Sequence, residues 1–338
     1  MNSSAQPGDE VRRFIVENRP VRGHWVRLEA AWRELRAHKE YPEPVRELLG
    51  QAVAASVLLA ATLKFNGTLT LQLRGNGAVK LLVAQCTHDF RLRAVANFDE
   101  VAVEDLATEA ERRESHEAPA MRRGTTEAER RESHEAPAAR RGTFRRLVGT
   151  DGRIVVTIES DEKNTRYQGI VPLSGASLAD SLETYFASSE QLPTRVVLAA
   201  DSERGVGVLV QKLPDPANAD ESDMRAVWED AQRGIERLST TDLLLRPVEE
   251  LLERGFSSHD MRLFKGAPVQ FECRCSEGRV SSLLRALGAD EVRDVLKEQG
   301  AVTVTCEFCH RPYRFDAVDV EALFAEPAGD GSGPHSIH

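Results

Sequence analysis

The sequence predicts an α+β protein: an N-terminal core of antiparallel sheets with packed helices, a helical linker, and a small C-terminal domain built round four cysteines. Three observations lead there. Strand-like runs follow one another through short turns, as in NGTLTLQLRGNGAVKLLVAQCT (66–87), where Gly75-Asn76-Gly77 marks a hairpin. The segment YPEPVRELLGQAVAASVLLAATLKF (41–65) reads as a helix whose apolar stripe broadens until no face is polar, so it belongs inside a domain. Four of the five cysteines crowd together as Cys273-x-Cys275 and Cys306-x-x-Cys309.

Residues 11–35 mix short β-like runs with a charged helical segment. After the central helix and the hairpin, RLRAVANF continues the sheet. RIVVTIES (153–160), RYQGIVPL (166–173), TRVVLAA (194–200) and GVGVLVQKL (205–213) add strands, and SLADSLETYFASSEQ (177–191) supplies a helix. TEAERRESHEAPAMRRGT (108–125) recurs at 126–143, with Ala139 standing where the first copy has Met121. Each copy carries four Glu and four Arg and no Leu, Ile, Val or aromatic residue. It buries too little to offset its ordering entropy, so a duplicated mobile insertion is expected within a core domain of residues 1–219.

PDPANADES (214–222) has linker composition. The next segment places Met224, Val227, Trp228, Ala231, Ile235 and Leu238 on one helical face. A second helix is expected around TDLLLRPVEELLERG, with Thr241 or Asp242 as N-cap and Gly255 as stop, and with Gly234 and Pro247 as interruptions. Residues 220–268 thus read as a linker that is helical only when docked. Residues 269–326 form the cysteine domain and 327–338 a flexible tail.

A net charge of −10 argues against a general nucleic-acid partner, and residues 269–326 hold 11 acidic against 7 basic residues. The N-terminus has no apolar run of signal-peptide length, and GQAVAASVLLAATL (50–63) is too short to cross a bilayer. The expectation is a cytoplasmic protein without a membrane partner, where thiols stay reduced. Clustered cysteines then point to a metal site or a redox device.

Zinc takes four such ligands as a tetrahedron, and two close pairs brought together across a loop supply them. Between the pairs lie two short helices parted at Gly288-Ala289-Asp290, then AVTVTC, a strand delivering Cys306, and YRFDA, another strand. A unit this small rarely folds unaided, and structural zinc contributes about 10–16 kcal/mol of apparent binding energy. One zinc per chain in the reduced state is therefore expected. The C-x-C half is the departure from an ordinary ribbon: it chelates more tightly, and a disulfide within it closes a small, strained ring of the labile kind. C-x-x-C closes more comfortably. Arg274, Arg311 and Arg314 would favour thiolates once metal leaves. Oxidation would then eject zinc, which makes a switch.

Rival readings are weaker. Cys306-Glu307-Phe308-Cys309-His310 matches the haem-attachment pattern but leaves the other pair unexplained. A thioredoxin-like motif would open a helix rather than join two strands. Four thiolates leave a zinc enzyme no open position, and no nucleophile set or carboxylate pair is legible, so no enzyme is expected. A zinc-stabilised interaction module without redox cycling is the alternative. Cys86 reads as a small buried apolar residue, and His24, His38, His88 and His259 as structural or surface groups.

The quoted segments YPEPVRELLGQAVAASVLLAATLKFNGTLTLQLRGNGAVKLLVAQCT, YQGIVPLSGASLADSLETYFASSEQLPTR and CEFCHRPYRFDAVDVEALF, with the C-x-C…C-x-x-C spacing, resemble the redox-regulated bacterial heat shock protein family called the 33 kDa chaperonin, from about residue 10 to 325. The resemblance implies an ATP-independent holdase for unfolding and oxidatively damaged proteins, inactive when reduced and zinc-bound. It implies that Cys273, Cys275, Cys306 and Cys309 are the ligands and that Cys273–Cys275 and Cys306–Cys309 are the disulfides. Linker release would expose Trp228, Ile235, Leu243, Leu244 and Leu245 to unfolded clients, with a homodimer in the oxidised state. The duplicated segment exceeds the family pattern, and His310 stands where a polar residue such as Asn is expected.

Overall fold

The computed structural model describes residues 8–106, 144–161, 165–215 and 220–325; the duplicated segment, part of the 214–222 stretch and the tail lie outside the described residues. The chain divides into two compact units between Glu272 and Cys273. The helical segment 220–268, expected as a separate linker, belongs to the first.

In the first unit, α2 (Glu43–Thr62) is the centre of the core. Pro42 and Pro44 start it, since an N-terminal turn tolerates a missing N–H. Its Val45, Leu49, Val57 and Leu58 are all buried, which is why the sequence shows no polar face there. By length and composition this helix could cross a membrane, but here it is packed between two sheets. Gly50 is needed for that: a Cβ would lie 2.6 Å from that of Ala200.

One sheet runs in the order β10 (Met261–Leu263), β1 (Glu10–Val16), β2 (Val21–Leu28), β9 (Gly205–Lys212), β8 (Thr194–Ala200), with β11 (Ala267–Pro268) also on β1. The other runs β12 (Gln270–Phe271), β5 (Arg91–Phe98), β4 (Val79–Thr87), β3 (Gly67–Arg74), β6 (Arg153–Ser160), β7 (Thr165–Pro172). Every pairing is antiparallel except β12 on β5. The hairpin at 75–77 joins β3 to β4 as the glycines predict. α1 (Ala30–Arg36) follows β2, and α3 (Leu178–Tyr185) is capped by Ser177, which accepts from the Asp180 N–H at 3.1 Å. Cys86 is fully buried in β4, as expected of a small apolar side chain. His24 is buried too, and burial with Arg22 and Arg13 nearby pushes its pKa down to about 4, so it is neutral.

The first sheet carries a second apolar cluster on its other face, where Phe14, Trp25 and Val208 meet Ile235, Leu243 and Leu251 of three helices. These are α4 (Glu221–Glu236), α5 (Thr240–Leu245) and α6 (Val248–Gly255). Two expectations change here. The N-cap of α5 is Ser239, not Thr241 or Asp242; Asp242 is the third residue of a capping box, and its carboxylate bonds back to the Ser239 N–H at 3.2 Å. Gly234 does not interrupt α4 but lies inside it, against Gly255 of α6. Pro247 does end a helix, as read.

Replacing Ser239 with Ala should cost roughly 1 kcal/mol of linker stability, visible as faster amide exchange in 240–245. Acid should act in the same direction. Burial alone would raise the Asp242 pKa, but bonds from Arg246 and Ser239 outweigh it and leave it below the ordinary 3.8. A depressed carboxylate stabilises fully above its unfolded value, and that stability is lost as pH falls through the folded value. Linker protection should therefore decline below about pH 4.

In the second unit, α7 (Glu277–Leu287), α8 (Ala289–Gln299) and α9 (Ala317–Phe324) pack with the hairpin β13 (Val302–Thr305) and β14 (Pro312–Phe315). Gly288, at φ 106°, separates the first two helices. Among the described residues its apolar cluster has seven buried members, Val280, Leu284, Val292, Val302, Tyr313, Phe315 and Val320, with Val295, Leu296, Val304, Leu323 and Phe324 partly buried against them, a small core for such a unit.

Candidate metal centre

Two short segments supply the thiols. Cys273 and Cys275 precede α7, whose first turn is capped by Ser276. Cys306 follows β13, and Cys309 sits in the tight turn leading to β14. That turn is closed by the Cys306 N–H donating to the Arg311 carbonyl at 3.0 Å and the His310 N–H donating to the Cys306 carbonyl at 2.8 Å. The alternation of both strands sets which residues face inward, and so fixes the turn.

The four sulfurs lie within 4.8 Å of one another and are all half-buried. Cys273 Sγ is 3.6 Å from Cys306 Sγ, and Cys275 Sγ is 3.4 Å from Cys309 Sγ. Ligand sulfurs roughly 2.3 Å from a tetrahedral zinc stand about 3.8 Å apart, so the set fits that ion with small adjustment. The sulfurs also receive main-chain donors: the Cys275 N–H bonds Cys273, and the Arg311 N–H bonds Cys309. These contacts orient the ligands as outer-shell partners do. His310 is exposed, and its ring is not part of the cluster. Its φ of 51° is left-handed, a conformation that Asn tolerates well.

The thiols are unequal. Burial first, then the neighbouring sulfurs, push Cys273 up to about 12. Burial likewise raises Cys309. At Cys275 burial is outweighed by the Tyr313 hydroxyl, which donates to Sγ at 3.1 Å, and by the other thiols, giving about 7. Cys273 is thus held towards the thiol, whereas the Tyr313 hydroxyl favours the thiolate at Cys275. The sequence pointed to Arg274, Arg311 and Arg314 for this role and missed Tyr313. Its inward place in β14, two residues before the buried Phe315, was the available signal. Arg311 instead lies over the Tyr313 ring, 5.4 Å from its centroid.

The linker residues singled out from the sequence separate into three environments. Ile235 and Leu243 are buried in the second apolar cluster, Trp228 and Leu244 are partly buried against it, and Leu245 is 63% exposed.

Two antiparallel sheets around one helix, with a four-thiol unit at the C-terminal end, define an α+β protein with a cysteine-rich appendage. The model of the family described as Hsp33 protein matches residues 9–316, and the chain belongs to that family. The 33 kDa chaperonin of Nitrosococcus oceani is 39% identical over 318 residues, 94% of this chain and 95% of that protein. Those of Methylobacillus flagellatus and Neisseria meningitidis are 37% and 36% identical, over 94% and 96% of this chain and 95% of each relative. The crystal structure of the Thermotoga maritima 33 kDa chaperonin shares the fold, with a TM-score of 0.71 and 23% identity, covering 93% of this chain and 97% of that one. Family membership gives this chain a chaperone function, with unfolded proteins as partners.

Proposed function

We propose that this chain is a redox-regulated, ATP-independent holdase of the cytoplasm, with Cys273, Cys275, Cys306 and Cys309 as its zinc ligands and redox centre. The observation that supports this best is the convergence of four sulfurs in a unit with so small a core. When bound, zinc would keep the four as thiolates and tie the two cysteine segments together.

The resemblance pairs Cys273 with Cys275 and Cys306 with Cys309. In each pair two thiols yield two electrons and two protons to one hydrogen peroxide, which leaves as two waters while the S–S bond forms. Sulfurs joined in this way are poor metal ligands, so the cysteine unit loses its clamp. Cys273 follows β12 by two residues, so disorder there begins next to the end of the linker segment. Release of α4–α6 would then offer Ile235, Leu243 and the half-buried Trp228 and Leu244 to clients, beside the exposed Leu245, and uncover the sheet face beneath. A dimer in the oxidised state would enlarge that surface.

Treating the reduced, zinc-loaded protein with peroxide at raised temperature should release one zinc per chain, consume four thiols, and switch on suppression of client aggregation. Zinc would be followed with a chromogenic chelator and aggregation by light scattering. Zinc retained, or equal activity before and after, would leave only a zinc-stabilised module that does not cycle.

A further inference from the structure

The end of α5 is an unusual place to find two arginines. Pro247 has no N–H, so the Leu243 carbonyl lacks its helical donor, and Arg246 turns to extended backbone (φ −89°, ψ 147°). The last carbonyls of α5 therefore point out of the helix and need partners from elsewhere. The first sheet provides them. Arg27, buried in β2, donates through Nη2 to the Arg246 carbonyl at 2.5 Å and to the Leu244 carbonyl at 3.5 Å. Arg204, in the turn between β8 and β9, donates through Nη1 to the Leu244 carbonyl at 3.1 Å.

Charge sharpens the contact. Glu29 serves both cations, with Oε1 2.9 Å from Arg204 Nε and 3.9 Å from Arg27 Nη1. Two guanidiniums against one carboxylate leave positive charge directed at the carbonyl dipoles, the favourable sign for a helix C-terminus. Arg27 is further held over the Trp25 ring, 5.7 Å from its centroid, and Trp25 belongs to the cluster beneath the linker.

We infer that Arg27 and Arg204 are a latch on the linker: positioning residues that keep α5 docked and set how much disturbance is needed to free it. Their bonds go to main-chain carbonyls, so the latch responds to whether α5 is folded rather than to its side chains. Once α5 unwinds, the carbonyls disperse and both guanidiniums are released to water. A charge-assisted bond of this kind is worth enough to alter local opening about tenfold. The role of the latch in chaperone activation rests on the switch proposed above; its hold on α5 does not.

The test compares wild type, Arg27→Met, Arg204→Met, the double variant and Arg27→Lys, each full-length, reduced and zinc-loaded. Amide exchange would be read for 240–255 and, as reference, for 67–98. Expected are about tenfold faster exchange in 240–255 for each Met variant, a larger effect for the double, partial recovery with Lys, and no change in 67–98. The Met variants should also need less peroxide to suppress client aggregation. Unchanged exchange in 240–255, or equal acceleration in 67–98, would overturn the latch. If oxidised wild type fails to suppress aggregation, the switch reading falls, while the exchange result still decides the latch.

Discussion

Stripping metal from the reduced protein is expected to unfold residues 273–325 and leave the two sheets of the first unit intact. Among the described residues the apolar cluster of the cysteine unit has seven buried members, and three of them, Val302, Tyr313 and Phe315, belong to the hairpin that carries the second thiol pair. Without an ion the sulfurs contribute little cohesion, because a thiol is a weak hydrogen-bond donor and a weak acceptor. With four thiolates on zinc, about 10–16 kcal/mol of apparent binding energy becomes folding energy, far above what such a core supplies. Chelator-treated protein should therefore lose amide protection in 302–305 and 312–315, while 67–74 and 79–87 keep theirs. Cys306→Ser should approach the same state even with zinc present. A unit that stays protected in both experiments would remove the metal from any structural role.

The sequence made much of this legible because its signals were local. Alternating strands, the Gly75-Asn76-Gly77 turn and the all-apolar α2 each report their own neighbourhood, and each element is found where the pattern placed it. The cysteines were equally readable, since two pairs at chelating spacing have few other uses. What was hidden depends on tertiary contact. Ser239 was overlooked because it stands in a run of capping residues, Ser-Thr-Thr-Asp, and only the docked backbone selects among them. Tyr313 is an ordinary inward strand residue until its hydroxyl meets Cys275 Sγ. Gly234 looked like a helix breaker because helix propensity is a local quantity, while the reason for a glycine there lies 21 residues away in Gly255.

That glycine carries the second large effect. A Cβ at position 234 would lie 1.8 Å from the Gly255 carbonyl oxygen, with no flexible side chain to yield. Gly234→Val is therefore expected to force α4 and α6 apart, and overpacking of this kind costs about 1–3 kcal/mol or more. The strain falls on the linker's own packing: Ile235 follows the substituted residue, and Leu251 and Leu252 precede its partner, all in the same apolar cluster. The central helix and the second sheet belong to the other cluster and should be spared. Reduced, zinc-loaded Gly234→Val should thus exchange amides rapidly over 221–255, retain its metal, and suppress client aggregation without oxidant. Gly255→Ala is the internal control, since its Cβ would meet nothing nearer than 3.4 Å and should leave docking unchanged. If Gly234→Val opens the linker but clients still aggregate until peroxide is added, the chaperone surface lies elsewhere than under these helices. If both variants stay docked, the glycine crossing does not govern release.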